Sequence, residues 1–277
     1  MSFNVKKCKI MHVGHRNRHF EYSMNGERLE TASEEKDLGV WVEQSLKPGK
    51  QCAAAAKAAH FALGQIQRSF HFRSKKNLIP LFKTFVRPKV EFAISAWNPW
   101  LAGDAKLLEK VQERLIRLLS DVKGNTYEER VKDAGLTTLG DRRKRGDLIE
   151  TFKVLNGFSR VNKDEWFKIV PDEARPTRRT ASVTDVGVEE RRKNVLEQEG
   201  ARLEVRRNFF NVRVPKEWNS LPDKVKESPT VNSFKNSYDR WIKTKNPNHD
   251  GSTDAVQHTE DTIPEERSVS GQFSINN

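Results

Sequence analysis

Cysteine is scarce: Cys8 and Cys52 are the only two in 277 residues. Two isolated thiols exclude a disulfide framework and a cysteine-rich zinc module, and they suit a reducing compartment. No apolar run approaches the roughly 20 residues of a membrane span, and no secretory or transit pattern opens the chain. Catalytic signatures are missing too. There is no glycine-rich phosphate loop, no GxSxG, no HExxH and no cysteine–histidine pair with an orienting partner. No two aspartates are adjacent anywhere in the sequence. Apolar residues make up 35% of the chain, against a globular norm of roughly 45–50%. A core is therefore expected to be thin, built from helices that each bury one stripe.

Positive charge is what the chain has in excess. The net charge is +12, with 32% charged residues. Residues 244–277 hold two basic residues (Lys245, Arg267) against six acidic ones, a net −4, which leaves +16 on residues 1–243. A body this basic favours a polyanion, because each lysine or arginine laid on a phosphate releases condensed counterions. A generally solvated basic surface is the plainer reading of the same numbers. The expectation is an intracellular protein of the nucleus or cytoplasm with no membrane partner. RNA, an RNA–DNA hybrid or DNA is the expected partner of its basic surface.

Periodicity divides the chain. "CKIMHV" is short, apolar and followed by Gly14, which suits a strand over residues 5–13. Asn25-Gly26 within "FEYSMNGERLE" is the strongest local hairpin signal, since a type I′ turn needs positive φ at both central residues. "KDLGVWV" then places Leu38, Val40 and Val42 on one strand face. From Lys47 the period changes to that of a helix running to about Phe70, with Ala59, Leu63, Ile66 and Phe70 as its apolar stripe. Lys57, His60, Gly64, Arg68 and His71 fall on the opposite face, where a glycine permits close approach of another backbone. A second helix is expected from Ser74 to about Val86, with Leu78, Leu81, Phe82 and Phe85 apolar and a kink at Pro80. "RPKVEFAISAWNPW" reads as a compact connector. Further helices follow: one with Leu108, Val111, Leu115 and Leu118, one opened by the capping box Thr126–Glu129, and one from about 139 to 155.

Beyond Phe158 the pattern weakens. "NKDEWFKIV" is one short helical candidate, residues 175–207 read as an arginine-rich loop, and "NFFNVRVPKEWNSLPDKV" returns apolar anchors. "TVNSFKNSYDRWI" is a short helix, and residues 244–277 read as disordered. The expected fold class is α+β: a small antiparallel N-terminal strand region (1–46), a mainly helical domain (47–157), a basic, partly irregular region with aromatic anchors (158–243), and an acidic tail (244–277).

Three constellations compete with plainer readings. Cys8, His12, His15 and His19 cluster, but their spacing fits no ligand pattern, so they are read as strand-surface polar groups and no metal is expected. The arginine runs at 142–145, 175–179, 191–193 and 206–207 are either phosphate contacts or a solvated, nuclear-localisation-like patch. The charge spread over the whole body favours phosphate contacts, with Arg142, Arg143 and Arg145 as candidates. Trp97 and Trp100 read as core rather than as a base-stacking platform.

The order "FNVKKCKIMHVG", "LETASEEKDLGVWVEQSLKP", "LFKTFVRPKVEFAISAWNPW", "LEKVQERLIRLLS", and then "FFNVRVPKEWNSLP" with "SFKNSY", resembles the reverse transcriptases of non-LTR retrotransposons, most closely the chicken-repeat type of LINE element. The resemblance covers about residues 3–243. It implies that residues 1–46 are the end of a polymerase palm and 47–157 its thumb. It also implies that the chain begins midway, with the catalytic aspartates upstream or in another chain, so that Mg2+ has no site in this one. Lys7 then matches the lysine that protonates the leaving pyrophosphate, here a vestigial general acid. Leu38 and Gly39 match the Leu-Gly of the primer grip. An exposed strand lysine and a bulge glycine are the plainer readings. The function implied is part of an RNA-directed DNA polymerase that grips nucleic acid without polymerising alone. The alternatives are a domesticated RNA- or DNA-binding module and a non-functional relic product.

Overall fold

The computed structural model describes residues 4–14, 16–171 and 194–245. The fold is mixed α+β and mainly helical, and among the described residues the strands lie near the N-terminus. The runs at 175–179 and 191–193 and the tail from 246 lie outside the described residues.

Among the described residues six short strands form three separate pairs rather than one sheet. β2 (Ser23–Met24) and β3 (Glu27–Arg28) close the expected hairpin, with Asn25 at φ 53° and Gly26 at φ 81°. β5 (Glu34–Asp37) and β6 (Val40–Glu43) close a second one around Leu38 (φ 44°) and Gly39 (φ 90°). Both turns have positive φ at the two central positions, the hand that matches strand twist. Leu38 is thus a turn residue 89% exposed, not a strand residue sharing a face with Val40 and Val42. The expectation of purely antiparallel pairing also needs correction. β1 (Lys9–Ile10) runs parallel to β4 (Glu30–Thr31), and residues Val5–Lys7 form a 3-10 turn instead of extending the strand. Asn4 caps that turn by accepting the Lys6 N–H.

α1 (Gly49–Ser69) packs along α5 (Ala102–Leu118). Small residues permit the close approach: Ala55, Ala56 and Ala59 join Leu63 against Leu108, Val111 and Leu115. The second helix does not stop at Val86. α2 (Lys75–Leu81) passes into a π-helical turn (Phe82–Val86) and then α3 (Arg87–Glu91), where the Arg87 N–H donates to the Phe82 carbonyl. Pro80 and Pro88 bracket this turn and withhold two N–H groups, which a regular i→i−4 ladder cannot absorb. The wider turn shifts the apolar register, so Phe82, Val86 and Val90 are buried while Phe85 is 56% exposed. The expected connector folds as well: Ala93 adopts φ 49° and opens α4 (Ile94–Trp97), whose Trp97 is core and donates its indole N–H to the Phe92 carbonyl at 2.8 Å.

α6 (Tyr127–Asp133) carries the expected capping box and ends at Gly135 with φ 64°. α7 (Leu139–Leu155) starts where Glu109 accepts both the Leu139 N–H and, at 2.6 Å, the Tyr127 hydroxyl. Its first residue closes one hydrophobic cluster and its second half opens another, so α7 belongs to two cores. The second core gathers α8 (Lys163–Trp166), α10 (Phe210–Asn219), α11 (Asp223–Lys226) and α12 (Val231–Lys245) near Phe152, while α9 (Glu204–Arg207) contributes no buried residue. There Phe152 stacks on Phe234 at 4.5 Å between centroids, with Trp218 6.0 Å further on. Among the described residues no helix is long and apolar enough to cross a membrane.

Candidate nucleic-acid interface

The basic residues expected at an interface divide into two groups. On α1, Lys57 and Arg68 are exposed, and His71 is exposed just past the helix end. His60 is half-buried, and its carbonyl accepts from the Arg114 guanidinium at 3.4 Å. Burial first, and the Arg114 charge second, hold the His60 imidazole below its usual range, so at neutral pH it offers hydrogen bonds rather than charge. Gly64 is not on the open face, which corrects the expectation for it. It is buried against α5, and a Cβ there would stand 3.9 Å from Arg114 and from Arg68. Arg114 in turn holds the Gln67 side chain at 2.9 Å.

The arginines of α7 turn inward. Arg142 grips both carboxylate oxygens of Glu91, the second at 3.0 Å. Arg145 grips Asp239 of α12 at 2.7 and 2.8 Å. Arg143 is buried near the Cys52 thiol, and desolvation pulls it below the ordinary arginine range against the opposing charge of Glu109. Burial, then Asp104, pushes that thiol up to about 12, so Cys52 is an inert core group. Within residues 142–145 only Lys144 is exposed. Of the run at 206–207, Arg206 pairs with Glu199 at 2.7 Å and Arg207 donates to the Ala201 carbonyl at 3.3 Å.

At the N-terminal end, Lys7 is exposed in its 3-10 turn. Leu38 and Gly39 stand at a hairpin tip beside a cleft of about 480 Å³ that Gly39 and Trp41 share with Phe85 and Phe92. A Cβ at Gly39 would come within 3.3 Å of the Phe92 ring, so the glycine is used for φ and for that approach. His12 is 7% exposed with its ring 4.7 Å from that of His19. His15 lies outside the described residues, among which no group of three His, Cys, Asp or Glu side chains could hold a metal ion.

Sequence periodicity missed the segment between α1 and α2. Phe70, expected to be core, is 44% exposed, and Phe72 is 80% exposed. Arg73 and Lys76 are exposed beside them. A signal was available: residues 44–90 contain no aspartate or glutamate but ten lysines and arginines. No protein-family model matches the chain, and neither curated proteins nor solved structures give a significant match.

Proposed function

We propose that this chain is a nucleic-acid-gripping part of an RNA-directed DNA polymerase of the non-LTR retrotransposon type, with the α1–α7 region in the role of the thumb. The supporting observation is the acid-free stretch 44–90, whose exposed cations Lys57, Arg68, Arg73 and Lys76 form no salt bridge among the described residues. Cations of this kind release counterions when laid on phosphates, whereas cations already paired to carboxylates do not. Recognition is then by backbone and shape, without sequence preference. The residues present do not fit the two-metal chemistry of nucleotidyl transfer: the sequence has no adjacent aspartates, and among the described residues no group of three His, Cys, Asp or Glu side chains could hold a metal ion. No polymerisation step is assigned to this chain.

The test is binding of the purified chain to an RNA–DNA hybrid across a salt series, with primer extension measured in the same tube. Four engaged cations give an expected slope of log K against log salt of about −3 to −4. A flat salt dependence, or no binding at low salt, overturns the reading. Extension by this chain alone overturns its non-catalytic part.

A further inference from the structure

We infer that the segment joining α1 to α2 is a stacking platform for single-stranded nucleic acid, with Phe70 and Phe72 as its rings. This rests on the proposed function and narrows it to a ligand form. From Phe70 to Ser74 the backbone has no turn or bend, with φ −125° and ψ 122° at Phe70 and φ −83° and ψ 156° at Ser74. Side chains two residues apart on an extended chain share a side and stand roughly 6.6 Å apart. That spacing is about twice the 3.4 Å rise of stacked nucleotides, so it admits one base plane between two rings.

The segment is fastened at its far end. The Arg73 carbonyl accepts from the Ser120 N–H at 2.9 Å and from its hydroxyl at 3.2 Å. The Lys75 N–H donates to the Asp121 carboxylate at 2.8 and 3.1 Å, and the Lys75 ammonium reaches Asp133 at 3.0 Å. The rings are therefore held outward by backbone anchored to the α5–α6 turn. Neither packs against another aromatic ring among the described residues. Arg68, Arg73 and Lys76 flank them with positive charge, which favours a polyanion over an apolar partner surface. A duplex hides its base faces and cannot use the rings; a single strand presents a face at every base.

The experiment compares the full chain and its variants on a fluorescent single-stranded oligonucleotide and on an RNA–DNA hybrid of the same sequence. Phe72→Ala is expected to weaken single-strand binding roughly 5- to 100-fold while changing hybrid binding by less than about twofold. Phe72→Leu, which keeps apolar bulk without an aromatic face, should lose as much, and Phe72→Tyr should restore binding. A ring this exposed is replaced without loss of the fold, and the unfolding midpoint checks that. Equal loss on both ligands, full binding by Phe72→Leu, or self-association abolished by Phe72→Ala would each overturn the platform. Wild-type binding to the hybrid with no effect of the Phe variants sinks this inference alone; no binding to either ligand sinks the proposed function with it.

Discussion

Residues 68–76, RSFHFRSKK, and residues 141–147, DRRKRGD, look alike as basic strings, yet they lie in opposite electrostatic surroundings. The second run contains its own aspartates, and the fold brings Glu91 and Asp239 to it from other elements. Its arginines are consumed in holding α7 to α3 and α12. The first run has no carboxylate within its own helix or linker, and the two that reach it from elsewhere both go to Lys75, Asp121 to its N–H and Asp133 to its ammonium, which leaves Arg68, Arg73 and Lys76 outward. Counting arginines in sequence does not separate these cases. What separates them is which carboxylates the fold delivers to each guanidinium.

The largest expected effect lies at the end of the α7 run. Asp147, 5% exposed, accepts from Arg213 at 2.9 and 3.0 Å and from Asn98 at 3.2 Å. Arg213 also donates to the Ser95 and Asn208 carbonyls, so the pair joins α4, α7 and α10. Asp147→Ala leaves a guanidinium buried without its counter-charge and should cost about 3–5 kcal/mol in urea unfolding. Adding Arg213→Met should recover much of this, because an apolar pair avoids the desolvation of two ions. A loss below about 1 kcal/mol for the single change would show that the pair does not tie α7 to α4 and α10, since surface substitutions cost no more.

A paired comparison tests the contrast directly. Arg145→Ala removes two charge-assisted hydrogen bonds in a half-buried site and should cost roughly 1–2 kcal/mol, with the salt slope of nucleic-acid binding unchanged. Arg73→Ala keeps the backbone carbonyl that Ser120 holds, so stability should move by less than about 0.5 kcal/mol. Its salt slope should fall by about 0.9, one phosphate contact. If both variants shift the slope equally, the division into structural and free cations fails.

Much of the fold was readable because it is local. The Asn25-Gly26 hairpin, the Thr126–Glu129 capping box and the glycine stop at 135 each depend on a few adjacent residues. The failures lie where a distant partner or a register shift decides. Alternation puts Leu38 on a strand because it is blind to a two-residue turn. A 3.6-residue spacing puts Phe85 inward because it does not survive a π-helical turn. Arg142 and Arg145 meet Glu91 and Asp239 from 51 and 94 residues away, and Arg143 is buried, none of which the local run of basic residues reveals. The same helical spacing draws the exposed Phe70 into the α1 stripe, although the helix ends one residue before it.

Gly64 sharpens the comparison from beneath the α1 face. Its position takes a Cβ in ordinary contact, 3.9 Å from the nearest side-chain atoms, and its φ is not left-handed. Gly64→Ala should therefore stabilise the chain by about 0.5–1 kcal/mol through helix propensity. Binding to nucleic acid should be unaffected, because the site lies under Arg114 rather than on the open surface. Weakened binding would place a ligand backbone against α1 at this glycine and restore the expectation read from the sequence.

The smallest effect concerns what keeps the 70–76 segment in place. The Lys123 N–H at 2.8 Å, and then the Lys75 ammonium, hold the Asp133 carboxyl below its ordinary 3.8. A carboxylate depressed in the folded state stabilises above its unfolded pKa, and that contribution is lost as pH falls from about 3.8 through the lower folded value. The anchor is thus complete at neutral pH and releases only in acid. Hydrogen exchange at the Lys123 amide should quicken as pH falls below about 3.8 in the wild type, relative to the intrinsic rate. In Asp133→Asn the neutral amide oxygen still accepts, so protection should be slightly lower at neutral pH and free of that acid step. An acid step of the same size in both proteins would assign the release to another carboxylate, with Asp121, which caps α2, the next to replace.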